Sequence, residues 1–224
     1  MREEEEIVLQ VKGLRKAYGD QEVLSNVGFT IARAERVAIV GPSGSGKSTL
    51  LNCLAGLESP DAGLIKFLGR NLQEMPESEV TALRRGQLTS VFQFFHLLPT
   101  LQASENVEFP LLLRNEKRTH RRQKVEAVME EVGLAHRAKA LPSELSGGEM
   151  QRLAIARAII TEPALLLADE PTGSLDQSNS RRILELLNTL AERHGTALLI
   201  VTHDPIASSD CERILHMLDG RLEK

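Results

Sequence analysis

The sequence predicts an α/β fold in which a mainly parallel sheet is covered by helices. Apolar runs of strand length, at Arg36–Val40, 165–168 and 198–202, alternate with longer segments whose apolar residues recur at helical spacing. A glycine-rich segment follows the first run and precedes a helical segment at 47–57. Strand, tight loop and helix in this order are typical of a parallel sheet with helical crossovers.

The segments before residue 36 and after residue 95 predict two additions to this sheet. Residues 7–11 and 23–31 read as strands joined by a turn at 18–20, with no helix between them. Residues 65–68 are expected to join the same antiparallel layer. Residues 95–162 are mostly helical. The apolar residues of one helix face in this segment form a stripe that is expected to pack in the core; they are Val125, Val128, Met129 and Val132. We therefore predict a single domain, 1–224, with a helical subdomain at about 95–162.

The composition is that of an ordinary globular chain. It has 224 residues, of which 42% are hydrophobic and 26% charged, and its net charge is 27 − 31 = −4. This acidic balance argues against nucleic acid as the main partner. We find no run of about 20 apolar residues, and the acidic N-terminus lacks a signal-peptide pattern. Cys53 and Cys211 have no metal-ligand spacing, so we expect reduced thiols and a cytosolic location.

The glycine-rich segment matches the pattern G-x-x-x-x-G-K-[ST]. In such a loop the backbone N–H groups cradle nucleotide phosphates, the lysine reaches the β- and γ-phosphates and the following hydroxyl ligates Mg²⁺. The pattern predicts a phosphate-loop NTPase core (RecA-like) that binds ATP and Mg²⁺. The residues concerned are Gly41, Pro42, Ser43, Gly44, Ser45, Gly46, Lys47, Ser48 and Thr49.

Two adjacent carboxylates, Asp169 and Glu170, follow the apolar run 165–168. A carboxylate at the C-terminal end of a buried parallel strand points into the crevice where α/β proteins bind ligands. We expect Asp169 to hold Mg²⁺, through water, and Glu170 to polarise the water that attacks the γ-phosphate.

A second glycine motif, Ser146, Gly147, Gly148 and Glu149, lies about a hundred residues beyond the phosphate loop. Its Ser-x-x-Glu spacing predicts a capping box for a helix at 150–160. A helix N-terminus preceded by glycines is also an anion site, so the two interpretations are compatible.

The phosphate loop and the second motif together resemble the ATP-binding subunit of an ATP-binding cassette (ABC) transporter, over residues 9–222. The resemblance implies a head-to-tail homodimer, in which 146–149 of one copy contact the γ-phosphate held by the other. It also implies an integral-membrane permease partner, a place on the cytoplasmic face of the cell membrane and no nucleic acid.

Four further positions take their roles from this resemblance. Gln93 matches a glutamine that touches Mg²⁺ and the attacking water, and His203 matches a histidine that senses the γ-phosphate. Tyr18 matches an aromatic residue that stacks on adenine. Asp176, in the loop 173–176, matches a segment that crosses the dimer interface. The resemblance thus implies four catalytic residues, Lys47, Gln93, Glu170 and His203, and three metal contacts, Ser48, Gln93 and Asp169.

Two positions depart from the common family pattern. Ala34 stands where many members have glycine, and Glu149 stands where many have glutamine. Neither change removes a phosphate ligand, so we expect an active site.

The segment 92–99 resembles the bacterial group of lipoprotein-release, macrolide-export and cell-division ATPases, whose membrane subunits have few helices and a large extracytoplasmic domain. Phe94, Phe95, Leu97 and Leu98 are either core or a docking groove for that subunit's cytoplasmic helix. The basic segment 114–124 is either a contact for anionic lipid or the solvated start of an amphipathic helix.

The favoured function is therefore an ATPase motor that drives export, lipid extraction or force transmission through a separate permease. A soluble ABC ATPase acting on nucleic acid or ribosomes is the alternative, although this chain has one cassette and no long insertion. A phosphate-loop kinase or GTPase would leave 145–149 and His203 without a role.

Overall fold

Two sheets organise the chain in a computed structural model that describes residues 6–204, 208 and 210–223. A four-stranded antiparallel sheet has the strand order β2-β1-β4-β5. Its strands are β1 (Ile7–Tyr18), β2 (Gln21–Ala32), β4 (Ala62–Phe67) and β5 (Arg70–Asn71). The predicted antiparallel layer is confirmed. Most of the acidic N-terminal segment, residues 1–5, lies outside the described residues.

The second sheet has six strands in the order β10-β9-β3-β8-β7-β6, and its neighbours are parallel except for the β9–β10 pair. The three predicted core strands are its centre. Every residue of β8 is buried, because helices and the first sheet cover both faces. The six strands are β3 (Arg36–Val40), β6 (Leu88–Phe92), β7 (Leu165–Asp169), β8 (Ala197–Thr202), β9 (Arg213–Leu218) and β10 (Arg221–Leu222).

The α-helices of the described chain pack around these sheets. They are α1 (Lys47–Leu54), α2 (Glu77–Arg84), α3 (Ala103–Leu113), α4 (Arg118–Glu131), α5 (Gly147–Ile159) and α6 (Gln177–His194). The first helix ends before the predicted residue 57, since Gly56 takes a φ of 63° that interrupts the helix. No helix in the described ranges combines the length and apolarity that a membrane crossing needs.

The buried side chains form two clusters, one on each side of the parallel sheet. One joins β1, β2 and β4 to α1 and to residues of β3, β7 and β8. The other joins α3, α4, α5 and α6 to the opposite face of β7 and β8, and it contains the predicted stripe 125–132. Both faces of the central strands therefore lie in core, which holds their carboxyl ends rigidly. The subdomain boundary at 95–162 stays a prediction.

The basic segment 114–124 includes the start of α4, and several of its charges meet acidic groups. Arg114, His120 and Lys124 lie 3.6, 3.1 and 3.8 Å from the carboxylate of Glu116. Val125 and Val128 turn inward from the same helix. These ion pairs favour the solvated start of an amphipathic helix over a lipid contact.

Ala34 lies in the turn between β2 and β3 with a φ of 57°. This left-handed conformation costs an alanine about 1 kcal/mol relative to glycine. The turn is retained because Glu35 accepts a hydrogen bond from the Ala32 N–H at 2.7 Å.

Candidate active site

The predicted site residues follow the carboxyl ends of four adjacent parallel strands. Strand pairing places Phe92 opposite Asp169, Asp169 opposite Val201, and Val40 opposite Thr202. Gly41, His203, Glu170 and Gln93 come within two residues of these ends, so the fold gathers all four at one edge of the sheet.

The phosphate loop connects β3 directly to α1, and two of its glycines are sterically required. A Cβ at Gly41 would lie 2.1 Å from the Met217 carbonyl oxygen, and one at Gly46 would lie 2.7 Å from the Val23 carbonyl oxygen. Gly46 also takes a φ of 99°. The loop can therefore turn its N–H groups towards a ligand while its back packs tightly against β2 and β9.

Lys47 is the first residue of α1 and is 7% exposed. Its Nζ donates hydrogen bonds of 2.8 Å to the carbonyl oxygens of Gly41 and Pro42. Since an ammonium group has three donors, this arrangement leaves one for a phosphate oxygen.

Ser48 and Asp169 face each other across the edge of the sheet. The Ser48 hydroxyl donates to Asp169 Oδ1 at 3.4 Å. Burial is the largest influence on the pKa of Asp169 and raises it. The hydrogen bond from Ser48 lowers this pKa, the charge of Glu170 raises it, and the charge of Lys47 lowers it. A divalent cation here would stabilise the carboxylate charge that burial penalises.

The oxygen ligands that Ser48 and Asp169 offer suit a magnesium ion that binds together with a substrate. Mg²⁺ usually takes one or two carboxylates together with substrate phosphates, and it rarely has a cage made only of protein groups. In the described part of the chain, no cluster of three or more acidic, histidine or cysteine side chains could hold a metal ion.

Glu170 has both carboxylate oxygens engaged. His203 Nδ1 lies 2.8 Å from Oε1, and the Thr202 hydroxyl donates to Oε2 at 3.1 Å. The residue takes a φ of 45°, which turns the chain sharply after β7. The structure thus brings Glu170 and His203 into direct contact, while their predicted roles at the γ-phosphate stay predictions. The sequence analysis assigned no role to Thr202, although a polar residue at the end of an apolar run could have indicated one.

Gln93 lies beside the loop that follows Glu170. A Cβ at Gly173 would lie 2.9 Å from Gln93 Nε2, so a larger residue there would push the glutamine side chain aside. The Ser174 hydroxyl donates to the Gln93 carbonyl oxygen at 3.2 Å. Gln93 therefore packs against residues 173 and 174 of the loop that follows Glu170.

The second glycine motif begins α5, as its capping box predicts. Ser146 Oγ accepts from the Glu149 N–H, and Glu149 Oε2 accepts from the Ser146 N–H at 2.8 Å and from its hydroxyl at 2.7 Å. These bonds lower the pKa of Glu149, and Arg137 Nε lies 3.4 Å from its other oxygen. A Cβ at Gly148 would lie 3.5 Å from the Asn179 side chain. The motif therefore packs beside the start of α6.

Asp176 is the N-cap of α6. Its Oδ1 accepts from the N–H groups of Ser178 and Asn179, each at 3.0 Å. The Asn179 N–H, the Ser178 hydroxyl and the Asn179 amide, in that order of importance, lower the pKa of Asp176 to about 2. The carboxylate thus fixes the junction between the loop 173–176 and α6.

The depressed pKa of Asp176 predicts an acid-dependent loss of stability. Because the native state holds Asp176 ionised down to about pH 2, its contribution is present above the unfolded pKa of about 3.9 and fades as the pH falls towards 2. Asp176→Asn keeps an N-cap but cannot titrate. We expect the variant to lose less stability than wild type between pH 4 and pH 2 in denaturant unfolding. Parallel pH profiles would contradict this.

Tyr18 ends β1 with 49% of its surface exposed. Its hydroxyl donates to Glu58 Oε2, and the Lys16 ammonium lies 5.4 Å from the ring centroid. The residue is therefore partly open to solvent, its stacking role stays a prediction, and its neighbours Glu58 and Lys16 were not identified by the sequence analysis.

A phosphate loop between β3 and α1, with an acidic pair at a neighbouring strand end, defines the class of phosphate-loop NTPases. The ABC transporter family profile matches residues 24–173. The chain belongs to the ABC transporter family. It binds ATP, and it is the ATP-hydrolysing subunit of a membrane ABC transporter.

Known proteins resemble the chain over nearly its whole length. The lipoprotein-releasing system ATP-binding protein LolD of Bordetella pertussis is 47% identical over 219 residues, covering 96% of this chain and 95% of that protein. LolD of Chromohalobacter salexigens is 44% identical over 223 residues, covering 98% and 94%. These relatives confirm the predicted resemblance to the lipoprotein-release group.

Solved structures agree on the fold. The dimeric ATP-binding cassette MJ0796, in a post-hydrolysis state with ADP and Pi, has a TM-score of 0.88 and 37% identity, covering 96% of this chain and 97% of that one. CbiO1 of Clostridium perfringens, part of the ABC transporter complex CbiONQ, has a TM-score of 0.88 and 29% identity, covering 98% and 88%.

Proposed function

We propose that this chain hydrolyses ATP between two copies of itself to drive a membrane complex that releases lipoproteins. The observation that carries the proposal is the cluster of Lys47, Asp169, Glu170 and His203 at one edge of the sheet. The cargo class comes from the LolD relatives, which are named for lipoprotein release.

Each residue of the cluster has a chemical task in this proposal. Lys47 and the N–H groups of 41–49 bind the β- and γ-phosphates at the N-terminus of α1. Glu170 accepts a hydrogen bond from the attacking water and draws its proton. His203 holds the Glu170 carboxylate at 2.8 Å and reaches the γ-phosphate. Ser48, Gln93 and Asp169 would hold Mg²⁺, which neutralises charge on the phosphates when bound.

A second copy of the chain completes the site. The described neighbours of Ser146–Glu149 include Arg137 and the start of α6, and no hydrogen bond or ion pair among the described residues joins this helix terminus to the Lys47 loop of its own chain. A head-to-tail dimer would place it on the partner's nucleotide, with Asp176 at the interface. The cassette MJ0796 is itself dimeric.

A groove beside Gln93 suits a cytoplasmic helix of a permease. The cavity is about 550 Å³ and is mostly apolar, with Leu57, Leu98, Phe109 and Leu113 among its lining residues. Leu97 instead packs against the buried cluster of α3–α6, and Phe94 is 72% exposed, so of the apolar segment 94–98 only Leu98 lines the groove. Docking here would hold the chain on the cytoplasmic face of the membrane.

The groove is physically connected to the active site. Arg157, on α5, donates to the carbonyl oxygens of Phe95 and His96 at 2.9 and 2.6 Å, and burial lowers its pKa. The same helix begins at Ser146. A shift of a helix in the groove would therefore be passed both to Gln93 and to the second glycine motif.

Leu57→Asp is expected to release the chain from its permease while leaving the fold intact. Leu57 is 54% exposed, so a charge there costs little in the free protein, whereas burial against an apolar helix would cost about 3 kcal/mol or roughly 100-fold in affinity. Leu68→Asp is the matched control, since Leu68 is exposed in the turn between β4 and β5. The measurement is recovery of each variant from detergent-solubilised native membranes, with its partners identified.

A permease that is enriched with wild type and Leu68→Asp and lost with Leu57→Asp would support the groove. Equal recovery of all three would contradict it. Wild type found only in the soluble fraction, and retained on DNA or ribosomes with a steep loss in salt, would favour the soluble alternative.

A further inference from the structure

Glu58 links the Tyr18 ring to the helix of the phosphate loop. The Tyr18 hydroxyl donates to Glu58 Oε2, and the Asn52 amide donates to Glu58 Oε1 at 3.2 Å. Asn52 lies on α1, whose first residue is Lys47. One carboxylate therefore joins the aromatic side chain at the end of β1 to the helix that begins at the phosphate-binding lysine.

The backbone of Glu58 is fixed to the same helix. Its N–H donates to the Asn52 carbonyl oxygen at 3.2 Å, and the Leu57 N–H donates to that oxygen at 2.9 Å. Glu58 is consequently held to α1 twice, through its backbone N–H and through its carboxylate oxygen Oε1. Such a group can set where the tyrosine hydroxyl lies.

The segment that follows Glu58 is hydrogen-bonded to the end of β1 at three more points. Lys16 Nζ donates to the Ser59 carbonyl oxygen at 2.9 Å, and the Ala17 N–H donates to Asp61 Oδ2 at 2.7 Å. The Asp61 N–H in turn donates to the Arg15 carbonyl oxygen at 2.9 Å. Backbone and side-chain atoms of residues 58–61 thus bond to the residues of β1 that directly precede Tyr18.

The ring that results has a defined place and is partly exposed. The Lys16 ammonium lies 5.4 Å from the ring centroid, where a cation is attracted to the aromatic face. With 49% of the residue exposed, surface remains for a flat base. The contact with Glu58 is the main factor that raises the pKa of Tyr18, so the hydroxyl keeps the proton that it donates.

We propose that Glu58 is a positioning residue, which holds Tyr18 at a set distance from the phosphate loop and so favours a nucleotide base over a bare polyphosphate. This inference rests on the proposed function, in which Tyr18 stacks on adenine. It assigns specificity to a carboxylate that need not touch the nucleotide itself.

The test compares binding of ADP with binding of pyrophosphate to the full chain by calorimetric titration. For Glu58→Ala we expect ADP to bind about five-fold more weakly, because the tyrosine side chain must then be ordered on binding at a cost of about 1 kcal/mol, and pyrophosphate to bind unchanged. Glu58→Gln keeps an acceptor and should recover most of the ADP affinity. Glu22→Ala removes a carboxylate from the neighbouring strand and should change neither constant.

Tyr18→Phe completes a double-mutant cycle with Glu58→Ala. If Glu58 acts through the tyrosine hydroxyl, the double variant should bind ADP no more weakly than either single variant. Additive losses would overturn the proposal, and so would an equal loss of ADP and pyrophosphate affinity in Glu58→Ala, which would mean that Glu58 acts on the phosphate loop through Asn52.

Tyr18→Ala separates this inference from the proposed function. If Tyr18→Ala weakens ADP binding and Glu58→Ala does not, stacking stands and positioning by Glu58 is overturned. If Tyr18→Ala leaves ADP binding unchanged, the stacking role itself fails.

Discussion

Replacing Glu170 by glutamine should abolish ATP turnover while leaving ATP binding intact. The amide keeps the shape of the side chain but cannot take a proton from water, and loss of a general base costs about 10²- to 10⁴-fold in kcat. Binding should change little, because the phosphates are held by Lys47 and the loop 41–49. Phosphate release under saturating ATP, together with an equilibrium measurement of ATP affinity, checks both parts.

The surroundings of Glu170 make this substitution specific. Thr202 Oγ1 lies 3.1 Å from one carboxylate oxygen and His203 Nδ1 lies 2.8 Å from the other, so glutamine can keep one acceptor and the fold should persist. Glu185→Gln, on the exposed face of α6, is the control and should retain wild-type turnover. Turnover in Glu170→Gln near that of the control would refute the role of general base.

The same variant tests the dimer. Because hydrolysis is what releases the two copies in the proposed cycle, Glu170→Gln should accumulate as a dimer on size-exclusion chromatography with ATP and as a monomer without it. Adding Ser146→Arg puts a bulky cation at the start of α5 and should prevent that dimer. If the double variant dimerises as well as Glu170→Gln does, 146–149 does not contact the partner's nucleotide.

The sequence predicts the strand ends of the site well because their signals are local. An apolar run that ends in polar residues identifies β7 and β8 without knowledge of their neighbours, and the glycine spacing identifies the loop between β3 and α1. Parallel pairing then brings the strand ends together by geometry alone. That is why Lys47, Glu170 and His203 are found at one edge.

The elements that were missed lack such a pattern. In α2 only Val80 is buried among eight residues, so no stripe recurs at helical spacing. In β9 only Met217 is buried, and Ile214 and Leu218 are 42% and 46% exposed. Yet β9 supplies the Met217 carbonyl oxygen that excludes a side chain at Gly41. Its importance depends on packing that a one-dimensional pattern does not contain.

The sequence also does not indicate which side chains contact the functional residues. Glu58 lies 40 residues from Tyr18, and Arg137 reaches Glu149 from the turn after α4. A single charged residue on the surface carries no signal of which distant side chain it meets. Likewise, the capping box of Ser146 predicts the start of α5, but only the fold shows that it packs beside Asn179.

Lys47→Ala should remove most of the affinity for ATP. Lys47 is 7% exposed and its Nζ lies 2.8 Å from the carbonyl oxygens of both Gly41 and Pro42, so the ammonium group is held in the loop before any phosphate arrives and loses little entropy on binding. A charge-assisted hydrogen bond to phosphate is worth about 3 kcal/mol, which corresponds to roughly a 100-fold increase in Kd. Turnover should be lost with it at ordinary ATP concentrations.

The loss should be specific to the phosphates, and this separates it from unfolding and from the effect of Glu58. Lys47→Ala should weaken the binding of ATP, ADP and pyrophosphate alike. Glu58→Ala should weaken the binding only of those ligands that carry a base. Lys117→Ala, an exposed lysine before α4, is the control. Thermal unfolding without nucleotide shows whether the Lys47→Ala chain is folded. A folded Lys47→Ala variant that binds pyrophosphate as tightly as the control does would refute the phosphate-loop assignment, since the remaining N–H groups would then be sufficient for binding.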